Sequence, residues 1–479
     1  MYCGYITTIK NLRPHPNADR LDLGECFGNT VCVGRWEYAE GDTVLYFPCD
    51  GQLSEEFCTQ HDLVRRKDEN GNPAGGYLEP GKRNIRAINL RGSKSDGLVM
   101  PLSCLEYTGV DMATLTVGTP ITVVNGHEIC CKYIPRTNAR SDHSHGGNKT
   151  RKHKDPISPL FQEHADTEQL AYNLAAFKPG DEIEITLKMH GTSQRTAHLP
   201  VLTSYKRTFW DKIFKREGTP IYAWGGVSGT RRVVLDSYDG GFYGSNEFRE
   251  QHSKTFEGKL WKGETVYYEV VGFTHTGAPI MASADNKKIA DKDFMKQYGK
   301  ETVFSYGCSP DRCGKPIDWW DKEKTEPSIC EIVPQSDIYV YRMTMTNEDG
   351  NVVEYTPDFM RYRCEQMGVK SVPVFGKAII GDDRLHFVDA NGFDHVYMMG
   401  DGTIGDIVKR VAEEFYDGPD PVGKTHVREG VVVRIVNRPK FCAYKHKNHS
   451  FKIISGIAIE QAENNGTADA ISEDILAEM

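Results

Sequence analysis

One short stretch carries residue types suited to covalent chemistry. Lys188, His190 and Gly191 stand in the sequence KMHGTS at 188–193, directly after the alternating segment 182–187. The alternation predicts a strand that runs into a glycine-containing turn, with Lys188 near its end. A lysine attacks as a nucleophile only when neutral, and its reference pKa of about 10.4 leaves almost none neutral at pH 7 unless nearby cations lower it. The neighbours therefore decide the interpretation, because a lysine before a glycine turn more often marks a solvated strand end.

Five further segments follow in order, and each alone would be an ordinary strand with a polar insertion. They are Val227–Val233, Val266–Gly272, Ile338–Arg342, Glu429–Arg434 and Ala443–Lys452. The first places two adjacent arginines on a predicted strand, and the second places one carboxylate within a run of β-formers. Only as an ordered set do these segments indicate a function.

The ordered set resembles the covalent nucleotidyltransferase superfamily, and most closely the ATP-dependent RNA ligases of the phage nick-sealing and RNA-editing type. The distinguishing residue is His190: DNA ligases and capping enzymes usually carry Asp at that position, whereas this RNA ligase branch carries K-x-H-G-T. The K-x-K-N sequence that contains Lys445 and Lys447 is also similar to that branch. The resemblance extends from about residue 160 to residue 455.

The resemblance implies a role for each matched residue. The catalytic residues would be Lys188, Lys445 and Lys447, and the ATP-binding residues His190, Gly191, Arg231, Arg232, Glu269, Tyr341 and Glu429. Lys188 would form lysyl-AMP, while the other lysines and the arginines would bind phosphate. Glu269 would accept hydrogen bonds from the ribose, and Tyr341, or Tyr339 two positions earlier, would stack on adenine. ATP and Mg²⁺ are the implied cofactors, with Mn²⁺ as a substitute and with Glu429 and Glu269 near the metal.

Two features depart from the family pattern. Leu187 stands where the family usually has Glu immediately before the nucleophile, although we still expect ATP to be preferred to GTP. The interval from Glu269 to Tyr341 is longer than in the compact phage enzymes.

Two insertions are predicted, at 203–224 and 306–334. The first is basic and aromatic, which fits a contact with RNA and an exposed amphipathic helix equally well. The second contains Cys308, Cys313 and Cys330. We interpret these as free thiols rather than a zinc site, because no fourth ligand stands at regular spacing.

A basic stretch of low hydrophobicity at 131–156 predicts a linker. A solvated hinge is the favoured interpretation, and a surface that binds phosphate groups is the alternative. In that alternative the residues that bind RNA would be Lys149, Arg151, Lys152 and Lys154.

Residues 1–130 have the pattern of short segments that is expected of a small β-barrel. Short segments rich in β-branched and aromatic residues, at 30–34, 43–47 and 85–90, are separated by Gly, Asp, Asn and Pro. The sequence HPNADRL from His15 resembles a signature of tRNA-binding OB-folds, and it fits a simple turn equally well.

Two later pieces, Gly41–Pro48 and Leu90–Leu102, resemble the N-terminal OB module of a group of bacterial and protist RNA ligases. An OB barrel binds single strands through stacking and backbone charge.

The composition is that of an ordinary globular protein. The chain has 479 residues, 39% of them hydrophobic, and a net charge of -9, which argues against coating of nucleic acid by the whole surface. Thirteen scattered cysteines predict reduced thiols. No stretch is long and apolar enough to span a bilayer and no export signal is visible, so we expect a cytoplasmic protein without a membrane partner.

The predicted fold class is α+β. An OB barrel (1–130) and a basic linker (131–156) would precede a nucleotidyltransferase domain (157–479), an ATP-grasp-like ligase core whose antiparallel sheets line the ATP pocket. The predicted activity is sealing of RNA ends, a 3′-hydroxyl and a 5′-phosphate, in RNA repair. A DNA ligase or capping enzyme is disfavoured, because those relatives carry an OB domain after the final motif and few residues follow Lys452. A non-catalytic RNA-binding protein is disfavoured because every charged motif position is occupied.

Overall fold

The computed structural model describes residues 2–135, 155–164, 167–214, 216, 218–235, 238, 247–274, 280–281, 296, 306, 336–400, 402–423 and 427–465. The strands before the predicted linker are β1 (Gly4–Thr8), β2 (Lys10–Pro14), β3 (Leu21–Cys26), β4 (Asn29–Gly34), β5 (Thr43–Phe47), β6 (Gly51–Leu53), β7 (Arg66–Lys67), β8 (Pro73–Gly75), β9 (Asn84–Ile85), β10 (Ala87–Leu90), β11 (Ser93–Asp96), β12 (Leu98–Pro101), β13 (Pro120–Ile121), β14 (Val123–Val124), β15 (His127–Glu128) and β16 (Cys130–Lys132).

The strands after it are β17 (Glu168–Gln169), β18 (Glu182–Leu187), β19 (Thr192–Lys206), β20 (Thr219–Gly229), β21 (Val234–Leu235), β22 (Glu264–Gly272), β23 (Ser336–Thr346), β24 (Val352–Glu354), β25 (Lys370–Ser371), β26 (Val374–Ile380), β27 (Arg384–Asp389), β28 (Asp394–Met398), β29 (Gly430–Ile435) and β30 (Cys442–Lys447). The helices are α1 (Glu55–Gln60), α2 (Phe209–Ile213), α3 (Glu247–Lys254), α4 (Pro357–Met367), α5 (Ile404–Tyr416) and α6 (His449–Asn465). The fold is thus mixed α+β, with mostly antiparallel sheets.

The chain divides into two compact units. The described residues of the smaller unit are 2–134, 296 and 449–457, and the larger unit holds the rest. In the smaller unit β12-β5-β1-β13 form one sheet, β2-β3-β4 a meander and β16-β6-β9 a third sheet. These described strands lie in separate sheets rather than in one closed barrel, so the OB-fold stays a prediction.

The HPNADRL sequence forms the turn between β2 and β3. The Asn17 N–H donates to Nδ1 of the buried His15 (3.0 Å), so the His15 Nε2–H donates to the Leu90 carbonyl (3.0 Å). The Asn17 amide donates to the Arg91 carbonyl (2.9 Å). The signature therefore has a structural role: it ties this turn to the predicted OB segment that begins at Leu90.

A buried charge cluster, which we call the Asp96 cluster, anchors the first turns of α6 in the smaller unit. Asp96 Oδ1 lies 2.6 Å from His449 Nδ1, and Asp96 Oδ2 lies 3.0 Å from Lys452 Nζ. Burial by itself raises the pKa of Asp96, but Lys452 and His449 outweigh it and hold the pKa well below its ordinary value. The Asp96 carboxylate thus stays ionised and joins β11 to α6.

The larger unit is built on two mostly antiparallel sheets. One has the order β17-β30-β29-β18-β26-β27-β28, and the other has the order β21-β20-β19-β22-β23-β24, with β25 pairing β23. β18 lies in the first sheet and β19 in the second, so residues 188–191 form the link between the two sheets.

Helix α5 shows why the first sheet is well anchored. A capping box of Thr403 and Asp406 starts the helix. Its buried face, Ile407, Val408 and Val411, packs on Val431 and neighbouring residues of the first sheet. The resulting apolar layer holds β18 and β29 in fixed positions.

Among the described residues, no helix is long and apolar enough to cross a membrane. Each cysteine that the structure describes is a free thiol.

Candidate active site

Lys188 lies at the sheet-to-sheet link, immediately after β18. Its backbone N–H donates to the Gly430 carbonyl (3.0 Å), and the preceding Leu187 N–H donates to the Pro373 carbonyl (2.9 Å). Its side chain keeps 22% of its surface exposed. The predicted strand 182–187 is confirmed, and its neighbours on both sides fix the backbone that carries the amine.

Glu429 lies close to three basic side chains. Its Oε1 lies 2.6 Å from Lys188 Nζ and 3.4 Å from Lys447 Nζ, and its Oε2 lies 3.5 Å from His190 Nδ1. The carboxylate is buried, with 5% of its side chain exposed. Glu429 precedes β29 rather than lying within it, between Lys188 after β18 and Lys447 at the end of β30. The order of three adjacent strands thus produces the cluster.

The charge state of Glu429 follows from these contacts. Burial by itself raises the pKa of Glu429, but the charges of Lys188 and Lys447 and the hydrogen bond with His190 hold the pKa well below its ordinary value. The carboxylate therefore stays ionised and orients the Lys188 side chain. Two lysine side chains share one carboxylate oxygen, an arrangement that suits the negative charge of a phosphate group.

Lys445 and Lys447 lie on the same side of β30. They are two positions apart, both are partly exposed, and the residues between and beside them are buried. Lys447 pairs with Gly430 and Lys445 with Val432 across to β29. Of these two lysines, Lys447 is the one that lies within ion-pair distance of Glu429 in the described contacts.

Two glycines allow the backbone to close around the nucleophile. A Cβ on Gly191 would lie 2.3 Å from the Val270 carbonyl oxygen. A Cβ on Gly430, whose φ is +145°, would lie 2.0 Å from the His446 carbonyl oxygen. Both positions therefore require glycine.

Sequence reasoning missed a buried pair that supports His190. The Tyr306 hydroxyl donates to Asp420 Oδ2 (2.7 Å), and the His190 N–H donates to that hydroxyl at 3.4 Å. Asp420 also accepts the N–H groups of Val422 and Gly423, both at 2.8 Å. Burial, and then Asp420, raise the pKa of Tyr306 well above its ordinary value, so the hydroxyl remains a donor.

The predicted nucleoside residues lie beside this link. Glu269 pairs with Ser193, and its side chain lies against Gly191. Ser193 Oγ lies 2.8 Å from the Tyr341 hydroxyl. Burial, followed by the charge of Glu269, raises the pKa of Tyr341, which stays neutral. Tyr339 packs in the same apolar cluster as Tyr341 and is more deeply buried.

The two predicted arginines are not on a strand. β20 ends at Gly229 and β21 starts at Val234, so Arg231 and Arg232 lie in the turn between them. The Thr230 N–H donates to the Val233 carbonyl (2.9 Å) and closes the turn, which a glycine-threonine sequence could have indicated. The strand prediction for these residues is therefore wrong.

A second missed residue, Arg195, holds the arginine turn from inside. Its guanidinium is almost fully buried and donates to the carbonyls of Gln162 (2.6 Å) and Arg231 (2.8 Å). It also stacks over the Phe161 ring at 4.3 Å from the centroid. Nothing in the local sequence distinguishes this arginine from an exposed one.

Some predicted residues lie outside the described residues. These are Lys149, Arg151, Lys152 and Lys154 of the predicted linker and Cys308, Cys313 and Cys330 of the second insertion. In the described part of the chain, no group of three or more His, Cys, Asp or Glu side chains could hold a metal ion. A preformed protein cage for a cation is thus not seen in that part.

The fold is similar to that of the solved RNA ligase of Naegleria gruberi. The structure of that enzyme with PPi has a TM-score of 0.50 and 15% identity, covering 97% of this chain and 99% of that chain. A variant with ATP and Mn has a TM-score of 0.50 and 15% identity, covering 94% and 98%. An apo variant has a TM-score of 0.51 and 14% identity, covering 94% and 97%. At such low identity the likeness establishes the fold alone.

No protein-family model matches the chain, and neither does any curated protein sequence.

Proposed function

We propose that the protein is an ATP-dependent RNA ligase that acts through a lysyl-AMP intermediate. The observation that carries the proposal is the position of Lys188, whose amine lies 2.6 Å from an ionised Glu429 that also binds Lys447. This cluster sits at the link between two sheets, in a fold similar to that of a solved RNA ligase. The motif order along the chain agrees with that of RNA ligases.

Three steps would use this cluster. Neutral Lys188 Nζ attacks the α-phosphorus of ATP: the P–N bond forms, the P–O bond to pyrophosphate breaks, and the nitrogen loses one proton to solvent. An oxygen of the RNA 5′-phosphate then attacks the same phosphorus, the P–N bond breaks, and the lysine nitrogen takes a proton from solvent. Finally the RNA 3′-hydroxyl attacks the 5′-phosphorus and loses its proton to solvent, and the bond to AMP breaks.

The surrounding residues have separate tasks. Lys445 and Lys447 stabilise the negative charge that develops on the phosphates, and Arg231 and Arg232 bind phosphate from the turn between β20 and β21. Glu269 accepts hydrogen bonds from the ribose hydroxyls. Tyr341, held by Ser193, offers its ring to adenine.

A divalent cation fits this site without a protein cage. Mg²⁺ usually keeps several waters and takes one or two carboxylates plus substrate phosphates, so Glu429 and Glu269 would be its protein ligands. When bound, Mg²⁺ would neutralise phosphate charge, and Mn²⁺ can take the same ligands. The residues of this chain orient the lysine and the nucleotide.

Labelling with α-³²P-ATP and Mg²⁺ tests the proposal. The protein should acquire an acid-labile, hydroxylamine-stable AMP adduct, and Lys188→Ala should acquire none, because the phosphoramidate needs that amine. Label on Lys188→Ala would contradict the assignment. Parallel labelling with GTP tests base choice, and equal labelling would indicate that Leu187 relaxes it.

Sealing assays then test the substrate. Nicked RNA duplex with a 3′-hydroxyl and a 5′-phosphate should be sealed, and nicked DNA should be sealed poorly. Preferential sealing of DNA would favour a DNA ligase, and transfer of GMP would favour a capping enzyme. If the protein binds RNA but forms no AMP adduct, the result would contradict the proposed ligase activity and favour a non-catalytic RNA-binding protein.

A further inference from the structure

The paired strands β19 and β20 continue beyond the body of their sheet. β19 is buried from Thr192 to Ala197 but largely exposed from Thr203 to Lys206. The two strands remain paired out to Lys206 and Thr219, and α2 closes the hairpin between them. The described residues of the segment 203–224 therefore form a projecting hairpin, and its helical part is only five residues long.

The end of this hairpin is aromatic and exposed. We call Phe209, Trp210 and Phe214 the aromatic tip; their exposed fractions are 71%, 64% and 60%. The Trp210 and Phe214 rings are nearly parallel, with an interplanar angle of 19° and centroids 6.0 Å apart. Burying these rings in the protein would stabilise it, so their exposure indicates a surface that meets a partner.

Basic residues surround the aromatic tip. Lys206 and Arg216 are exposed, and the Arg216 guanidinium lies over the Phe214 ring at 5.6 Å from the centroid. Among the described residues of this segment, the acid Asp211 is engaged in the capping box of α2, where it accepts from the Thr208 N–H (2.9 Å) and hydroxyl (2.6 Å). Within a chain of net charge -9, this is a local positive surface.

We propose that the aromatic tip binds unpaired nucleotides of an RNA strand by stacking, with Lys206, Arg207 and Arg216 attracting its phosphates. Exposed flat rings beside cations match the two chemical features that every single strand presents, a base face and a charged backbone. The bases of a duplex are already stacked on one another, so the tip should discriminate against duplex RNA. The choice of RNA rests on the proposed function.

Binding of a fluorescein-labelled single-stranded RNA of about twelve nucleotides to the full chain, without ATP, tests the proposal. Trp210→Ala and Phe214→Ala should each weaken binding roughly tenfold, because a base–aromatic stack carries that much affinity. Trp210→Phe should restore most of the affinity. Phe393→Ala is the matched control: this ring is 65% exposed at the turn between β27 and β28, but beside Asp394.

The outcomes separate this inference from the proposed function. Weaker RNA binding by both alanine variants, with the control unchanged, supports RNA binding by the aromatic tip. Equal binding by all variants overturns it, as would equal competition by blunt duplex RNA. Binding to anionic lipid vesicles with no RNA binding would also overturn it. Lysyl-AMP formation, measured in parallel, should be unaffected by these variants, and its absence from the parent protein would instead contradict the proposed function.

Discussion

Two buried carboxylates, one in each unit, have similar partners and different consequences. Glu429 contacts two lysines and a histidine, whereas Asp96 contacts one lysine and one histidine. The partners of Asp96 come from adjacent turns of one helix, so the Asp96 cluster anchors that helix. The partners of Glu429 come from the link after β18 and from the end of β30, and two of them are lysines that share one carboxylate. Residue types alone therefore do not distinguish the proposed catalytic cluster from the structural one; the elements that supply the partners and the number of lysines per carboxylate do.

Removing the negative charge of Glu429 and of Asp96 should have the largest effects, and the two effects should differ in kind. Glu429→Gln should lower the rate of lysyl-AMP formation on the order of a thousandfold, because the amide no longer orients the Lys188 amine. Asp96→Asn should leave that rate within about threefold while destabilising its unit by about 3 kcal/mol, since it leaves Lys452 without its ion pair. Single-turnover labelling measures the first effect and urea unfolding the second. The reverse pattern would contradict the comparison.

The nucleophile link should also be less tolerant of added volume than a neighbouring strand. Gly191→Ala places a Cβ 2.3 Å from the Val270 carbonyl oxygen, and the resulting shift should lower the labelling rate on the order of a hundredfold. Gly226→Ala on β20 is the matched control, because no atom lies within 4 Å of its added Cβ. If both variants label like the parent protein, the close approach at Gly191 does not position Lys188.

Acid should weaken the Asp96 cluster in a defined window. Because the folded pKa of Asp96 lies below its ordinary 3.8, its contribution is complete above that value and is lost as pH falls through the folded pKa. The folded pKa of Lys452 is raised above 10.5, so its contribution is complete below 10.5 and is lost as pH rises through the folded value. The unfolding free energy of the parent minus that of Asp96→Asn should therefore shrink as pH falls below about 4 and as pH rises above about 10. A difference that stays the same at both ends would contradict the ion pair.

The sequence predicts the strands of the site better than its supports. Alternation over 182–187 and the β-formers of 266–272 predict strands that the structure confirms, because period-two patterning is local. The Tyr306–Asp420 pair joins residues 114 positions apart, and the Asp96–His449 pair joins residues 353 apart. No local pattern encodes such contacts, so they emerge only from the packed fold.

The sequence also gives a wrong prediction at the turn between β20 and β21. Val227–Val233 is rich in β-formers, which favoured a continuous strand, but Gly229 and Thr230 end it. The Thr230 hydroxyl accepts the Val233 N–H at 3.3 Å, a side-chain contact that competes with strand pairing. The sequence therefore predicts Arg231 and Arg232 on a strand, whereas they lie in the turn between β20 and β21.

We expect the smallest effect when the hydroxyl of Tyr341 is removed, and the comparison with Tyr339 on the same strand tests where the nucleoside binds. Tyr341→Phe keeps the ring but removes the hydroxyl that lies 2.8 Å from Ser193 Oγ, and a neutral hydrogen bond contributes about 1 kcal/mol. We expect the KM for ATP in the labelling reaction to rise about fivefold with little change in the maximal rate, because the bond holds the ring in place rather than touching phosphorus. Tyr339→Phe is the control: its hydroxyl lies 3.5 Å from Asp337, and the buried ring is left in position. Equal effects of the two variants would mean that adenine does not distinguish these tyrosines, and the assignment of Tyr341 as the stacking residue would fail.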